Sequence, residues 1–166
     1  MKIKDLRKAI HENAVQKGFW DEERSDGGAL ALIHSELSEA LEADREGDAE
    51  KACEEIADAI IRTFDFQTGM EQESIFDDKT IPELQNMVAN DEMHAMLPED
   101  MFPTFPEWIH IMHLNLAEVF LNNEPLDIFL LGVCDMCNTM EMDLEREIFQ
   151  KMAINAERAR LHGKRY

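Results

Sequence analysis

Glu36-Leu-Ser-Glu39 and Glu55-Ile-Ala-Asp58 each set two carboxylates three residues apart, which places both on one face of a helix. The two pairs are mirror images about Gly47-Asp48. Gly47 suits the left-handed position just past a helix end, and Asp48 suits the cap of the next helix. The segment therefore reads as helix, stop, helix, an antiparallel hairpin in which Glu36 faces Asp58 and Glu39 faces Glu55. Four carboxylates brought to one spot repel unless a cation joins them. A hard divalent ion with oxygen ligands relieves that repulsion. Mg²⁺, or the similarly hard Mn²⁺, fits best where phosphate oxygens complete the shell. In a chain with 31% charged residues, a solvated acidic face would account for either pair alone. It would not account for the mirror relation, which favours a metal.

The hairpin has apolar stripes with which to pack. Leu30, Ile33, Leu37 and Leu41 recur at helical spacing on its first arm, and Cys53, Ile56, Ile60 and Phe64 on its second. Each acidic pair lies at the edge of its own stripe. A site there is partly screened from water, which strengthens its electrostatics.

These residues resemble a family. Ile33-His-Ser-Glu-Leu-Ser-Glu-Ala-Leu-Glu42, followed by Glu54-Glu-Ile-Ala-Asp58, is similar to the ExxE…ExxD pattern of the all-α nucleoside triphosphate pyrophosphohydrolases, the MazG-like group. The likeness takes in Gly18-Phe-Trp-Asp21 upstream and Lys151 to Lys164 downstream, about half the chain. It implies an all-α helical bundle built on the hairpin. It also implies hydrolysis of a nucleoside triphosphate between its α and β phosphates, giving a monophosphate and pyrophosphate. Glu36, Glu39, Glu55 and Asp58 would hold Mg²⁺. Many members carry a Glu just before the first motif Glu, a candidate for activating the attacking water. Ser35 stands there in this chain, which leaves Glu36 or Glu39 to orient that water. Members commonly pair, so a homodimer or a dimer of dimers is expected.

Charge is unevenly spread. There are 36 acids against 16 bases, a net charge of −20. That argues against a reader of nucleic-acid backbones, which needs a basic footprint. Residues 80 to 145 hold no Lys or Arg at all, whereas residues 146 to 166 hold six of the bases. Within that tail Lys151, Asn155, Arg158 and His162 recur at helical spacing as a clamp for phosphate oxygens. In the family pattern the first three match positions implicated in phosphate binding. Phe19 and Trp20 are placed either to stack on a nucleobase or to anchor the first helix.

The rest of the reading is helical and single-domain. Helices are expected over residues 4 to 17, from Ser25 or Asp26 to Glu46, from Ala49 to Thr68 with a stop at Gly69, and after Thr80. Another should open at Pro106 and reach Asn122 or Asn123, and a last long one should run from Pro125 to about Leu161. Residues 70 to 125 lie outside the resemblance and are expected to form a helical insertion beside the nucleotide pocket. Cys134-Asp-Met-Cys137 has no second pair to complete a zinc site and reads as core. His110-Ile-Met-His113 has the i,i+3 spacing that a metal could use, but two histidines on a helix flanked by Trp108 and Leu114 read as structural. The amino terminus shows no signal-peptide core and the chain has no long apolar run, so a cytoplasmic protein away from membranes is expected. Two other functions fit parts of the pattern. A di-iron carboxylate bundle would use acidic pairs but expects Glu-x-x-His, and a non-catalytic acidic interaction module would leave the mirrored pairs without a reason.

Overall fold

The computed structural model describes residues 1–22, 25–90 and 103–159. Among them are seven helices and no strand: α1 Ile3–Gln16, α2 Asp26–Glu46, α3 Ala49–Gly69, α4 Ile81–Ala89, α5 Phe105–Asn122, α6 Asp127–Thr139 and α7 Leu144–Glu157. No helix among the described residues is long and apolar enough to cross a membrane. The protein is an all-α bundle.

Polar caps start these helices. The Ser25 hydroxyl accepts from the Gly28 N–H, and Asp48 and Asp143 accept from the N–H groups of Lys51 and Arg146. Thr80 and Glu83 form a reciprocal capping box that opens α4. Five helices end alike, with a residue at positive φ: Gly18, Gly47, Glu71, Asn123 and Glu141. In each case the next N–H reaches back five residues to a helix carbonyl, for example Asp48 to Ala43 at 2.9 Å and Met142 to Cys137 at 2.8 Å.

Two expectations are corrected here. The long helix from Pro125 is two helices, because Glu141 adopts the left-handed conformation and Asp143 caps a new start. The chain thus turns at residues 140–143, and α7 packs back on α3. Gly69 is also not a stop. It is the last residue of α3, and a Cβ there would lie 2.0 Å from the Trp20 ring. Glycine is needed for the indole, and the backbone reverses two residues later at Glu71.

Helix α3 is the spine. It packs along α2 across the Gly47-Asp48 turn and also carries α1 and α7. Ile33, Leu37 and Ala40 of α2 meet Ile56, Ala57, Ile60 and Phe64 of α3 in a core that all seven helices share. Helix α5 backs α2 from the other side, α6 packs on α4 and α5, and α4 also touches α7. The loop after α3 is pinned by Arg7, which donates to Asp77 at 2.7 Å and to the Gln72 carbonyl at 2.5 Å. Cys134 and Cys137 are buried in α6, and burial pushes both thiols far above their ordinary range. They are core side chains.

Candidate functional site

A cavity of about 480 Å³ opens over the middle of α3. Its walls are α1 (Ile10, Asn13, Ala14) and α7 (Lys151, Met152, Asn155, Ala156), with Arg158 just beyond the end of α7. Glu36 and Glu39 reach it from α2, and Lys51, Glu55, Asp58, Ile61, Arg62 and Asp65 from α3. This size is in the range of small-molecule sites. No described residue between 70 and 125 lines it. The expected insertion therefore does not border the cavity through its described residues, of which α5 packs on α2.

Oxygens of Glu36, Glu39 and Glu55 all lie within 4.8 Å of one another. Glu36 and Glu55 are only 2% and 4% exposed, so their charges sit in a poorly solvated place. Burial raises the Glu36 pKa, Arg62 opposes that rise, and Asp58 and Glu39 add to it. Asp58, the fourth predicted ligand, is turned toward α7. Its carboxylate meets the Lys151 ammonium at 2.9 Å and accepts from the Asn155 amide at 3.2 Å. Glu39 is exposed and accepts from the Ser35 hydroxyl at 3.2 Å, so Ser35 orients a carboxylate.

Three basic side chains neutralise these acids. The Arg62 guanidinium donates to Glu36 at 2.5 Å, and Lys51 meets Glu55 at 2.6 Å and Glu54 at 3.1 Å. Lys151, 1% exposed, contacts Glu54, Asp58 and Glu55 together. Burial works against its positive charge, but Asp58, Glu54 and Glu55 outweigh it and hold the pKa above the ordinary lysine value. The ion pairs with Lys151 and Lys51 likewise outweigh burial at Glu54 and lower its pKa. Lys51, Glu54, Arg62 and Asp65 had not been singled out in the sequence. The signal was there: Arg62 and Asp65 continue the Glu55–Asp58 face by one and two turns, and Lys51 precedes it by one.

The donor set suits a hard cation. It is all carboxylate oxygen, and no histidine belongs to the cluster among the described residues. Such a set could hold a hard divalent ion, and it lacks the nitrogen ligands that a di-iron bundle adds. Arg62 and Lys51 occupy two of the three carboxylates, so an incoming ion must exchange with them.

The substrate-side residues divide. Lys151 and Asn155 share a face of α7 and reach the cavity, with the Asn155 amide oxygen buried and without a hydrogen-bond partner among the described residues. Arg158 does not continue that face, because α7 ends at Glu157 and Arg158 has an extended backbone. It still lines the cavity. His162 lies outside the described residues. Trp20 lies beside the cavity, where its indole N–H donates to Asp65 at 2.9 Å. His11 meets the same Asp65 oxygen at 2.7 Å, with its ring edge-on to the indole. Asp65 thus fixes both aromatic rings, while Phe19 is the aromatic side chain that lines the cavity itself.

Compared with family models, curated proteins and solved structures, the chain matches none of them. Its chemistry rests on its own geometry.

Proposed function

We propose that the chain is a Mg²⁺-dependent nucleoside triphosphate pyrophosphohydrolase that releases a nucleoside monophosphate and pyrophosphate. One observation carries this reading: three carboxylates converge on the floor of a cavity whose facing wall supplies a lysine, an amide and an arginine. A polyanion needs both halves. The acids hold the metal that neutralises it, and the bases grip the oxygens beyond the metal's reach. The resemblance of the two acidic motifs to the MazG-like pattern supports the same assignment.

In this reading Glu36, Glu39 and Glu55 hold Mg²⁺, with Asp58 at the edge of the set. When bound, the metal would polarise phosphate oxygens and lower the pKa of a coordinated water. Glu39, exposed and accepting from Ser35, would orient that water. Lys151 and Arg158 take up charge on the departing pyrophosphate, and Asn155 adds a neutral amide. Ile10, Ile61 and Phe19 are apolar side chains of the cavity lining and would receive the base.

The test is a panel of individual ribo- and deoxynucleoside triphosphates with Mg²⁺, scored for pyrophosphate. At least one should be turned over by the wild type, with the activity lost on chelation and in Glu39→Gln. Pyrophosphate from none of them, or unchanged release by Glu39→Gln, would refute the assignment.

A further inference from the structure

His34 on α2 and His113 on α5 meet across the helix interface, away from the nucleotide cavity. Their Nδ1 atoms are 2.6 Å apart. The ring centroids are 4.9 Å apart and the planes are within 8° of parallel. That centroid distance is the nitrogen gap plus the two ring radii. The rings therefore meet edge to edge, nitrogen against nitrogen, and do not stack face to face. Only one of the two Nδ1 atoms can carry a proton in such a contact, so both lone-pair directions converge on one point.

In so acidic a chain this choice of partner is unusual. His11 shows the ordinary outcome, an Nδ1 held by the Asp65 carboxylate. His34 and His113 have each other instead, with no carboxylate ion pair at either ring among the described residues. Both rings are half-buried, which favours the neutral imidazole, the form that ligates metals. His110 stands one turn before His113 on α5, exposed, and close enough for its charge to act on His113.

We propose that His34 and His113 form a two-nitrogen transition-metal site that bridges α2 and α5. The donors are neutral nitrogens, which suit Zn²⁺, Ni²⁺ or Cu²⁺ and not Mg²⁺. With metal–nitrogen bonds of about 2.0–2.1 Å at a tetrahedral angle, the two Nδ1 atoms would stand roughly 3.3 Å apart, so they must separate by about 0.7 Å and both rings must turn to bring their lone pairs together off the present nitrogen–nitrogen line. Side-chain rotation of two half-exposed rings supplies that. Water completes the shell on the open side. The metal would replace the shared proton and clamp α5 to the helix that carries Glu36 and Glu39. The site stands whether or not the nucleotide assignment does, because none of its ligands lines the cavity.

The experiment titrates metal-free full-length protein with Cu²⁺ and with Zn²⁺ in excess Mg²⁺, comparing wild type with His34→Gln, His113→Gln and their double variant. Wild type should take up an ion that the double variant does not, and its melting temperature should rise with Zn²⁺. Pulsed electron paramagnetic resonance of the Cu²⁺ form should show the remote-nitrogen modulation of imidazole. Any of the chain's six histidines could give that modulation, so it must also be absent from whichever single variant, His34→Gln or His113→Gln, keeps its fold. Equal uptake by wild type and the double variant, or a Cu²⁺ spectrum without imidazole modulation, would show that the pair is a hydrogen bond and nothing more.

Discussion

The two sides of the bundle handle buried charge in opposite ways. Where α2, α3 and α7 meet, Glu36, Glu55, Asp58 and Lys151 are all buried and satisfied largely by one another and by nearby cations. Among the described residues of α4 to α6 and the loop before them, the only buried charge is Asp127. Neutral donors satisfy it: the Ser74 hydroxyl at 2.6 Å and the Ile75 N–H at 3.0 Å. Gln85 and Asn138 tie α4 to α6 with uncharged groups as well. A core built for stability alone avoids buried ion networks, whose desolvation cost rivals their attraction. The α2–α3–α7 side keeps one, and it faces a cavity. That difference, more than the acidity of the chain, marks the site.

The contrast can be broken most forcefully at Lys151. Lys151→Met leaves Glu54, Glu55 and Asp58 without their shared cation and should lower metal-free stability by about 3–5 kcal/mol, read by denaturant unfolding. Saturating Mg²⁺ should restore part of that loss. A change below about 1 kcal/mol would mean the network is solvated and contributes little. On the other side Leu116→Ala, at a fully buried α5 position, should cost about 3 kcal/mol through the cavity it leaves. Affinity for Mg²⁺, measured by calorimetric titration, should not move, and a parallel loss would show that the two sides are coupled. Arg62→Met should have a smaller effect of opposite sign. Removing the cation that holds Glu36 should tighten Mn²⁺ binding severalfold, and weaker binding would mean that Arg62 positions the ligand.

The mildest probe is pH. Burial lowers the His34 and His113 pKa values in the fold, so the unfolded chain binds more protons below its ordinary histidine pKa. The stability of keeping both rings neutral is fully present above about 6.5 and is lost as pH falls through the lowered folded values. Melting curves of metal-free protein should show a small decline in that window, and His113→Asn should flatten it.

Much of this arrangement could be read in the sequence, because local chemistry decides it. Ser25, Asp48 and Thr80 cap the helices where expected, and Gly18, Gly47 and Asn123 reverse the backbone. Glu36, Glu39 and Glu55 meet because the turn at Gly47 sets the register of two regular helices. The misreadings share a cause. Glu71 and Glu141 take the left-handed conformation without the residue type that advertises it, so the break before α7 was invisible, and with it the position of Arg158. The cations were missed for a different reason. Which base pairs with which acid depends on how α7 docks on α3, and helical periodicity does not report docking. His34 and His113, far apart in sequence, could not have been paired by spacing.

The two side walls of the cavity share a floor but no seam. Helices α1 and α7 both rest on α3, and neither packs broadly on the other. Where they come together at the far end, Lys17 donates to the carbonyls of Ala156 at 2.7 Å and Arg158 at 2.6 Å. One flexible side chain thus ties the end of one wall to the end of the other. Such a cleft has a compliance that a fully packed pocket lacks. The ends of α1 and α7 can part to take a wider guest at the cost of two hydrogen bonds from a half-exposed ammonium, while Lys151 and Asn155 keep the body of α7 on the carboxylates of the floor.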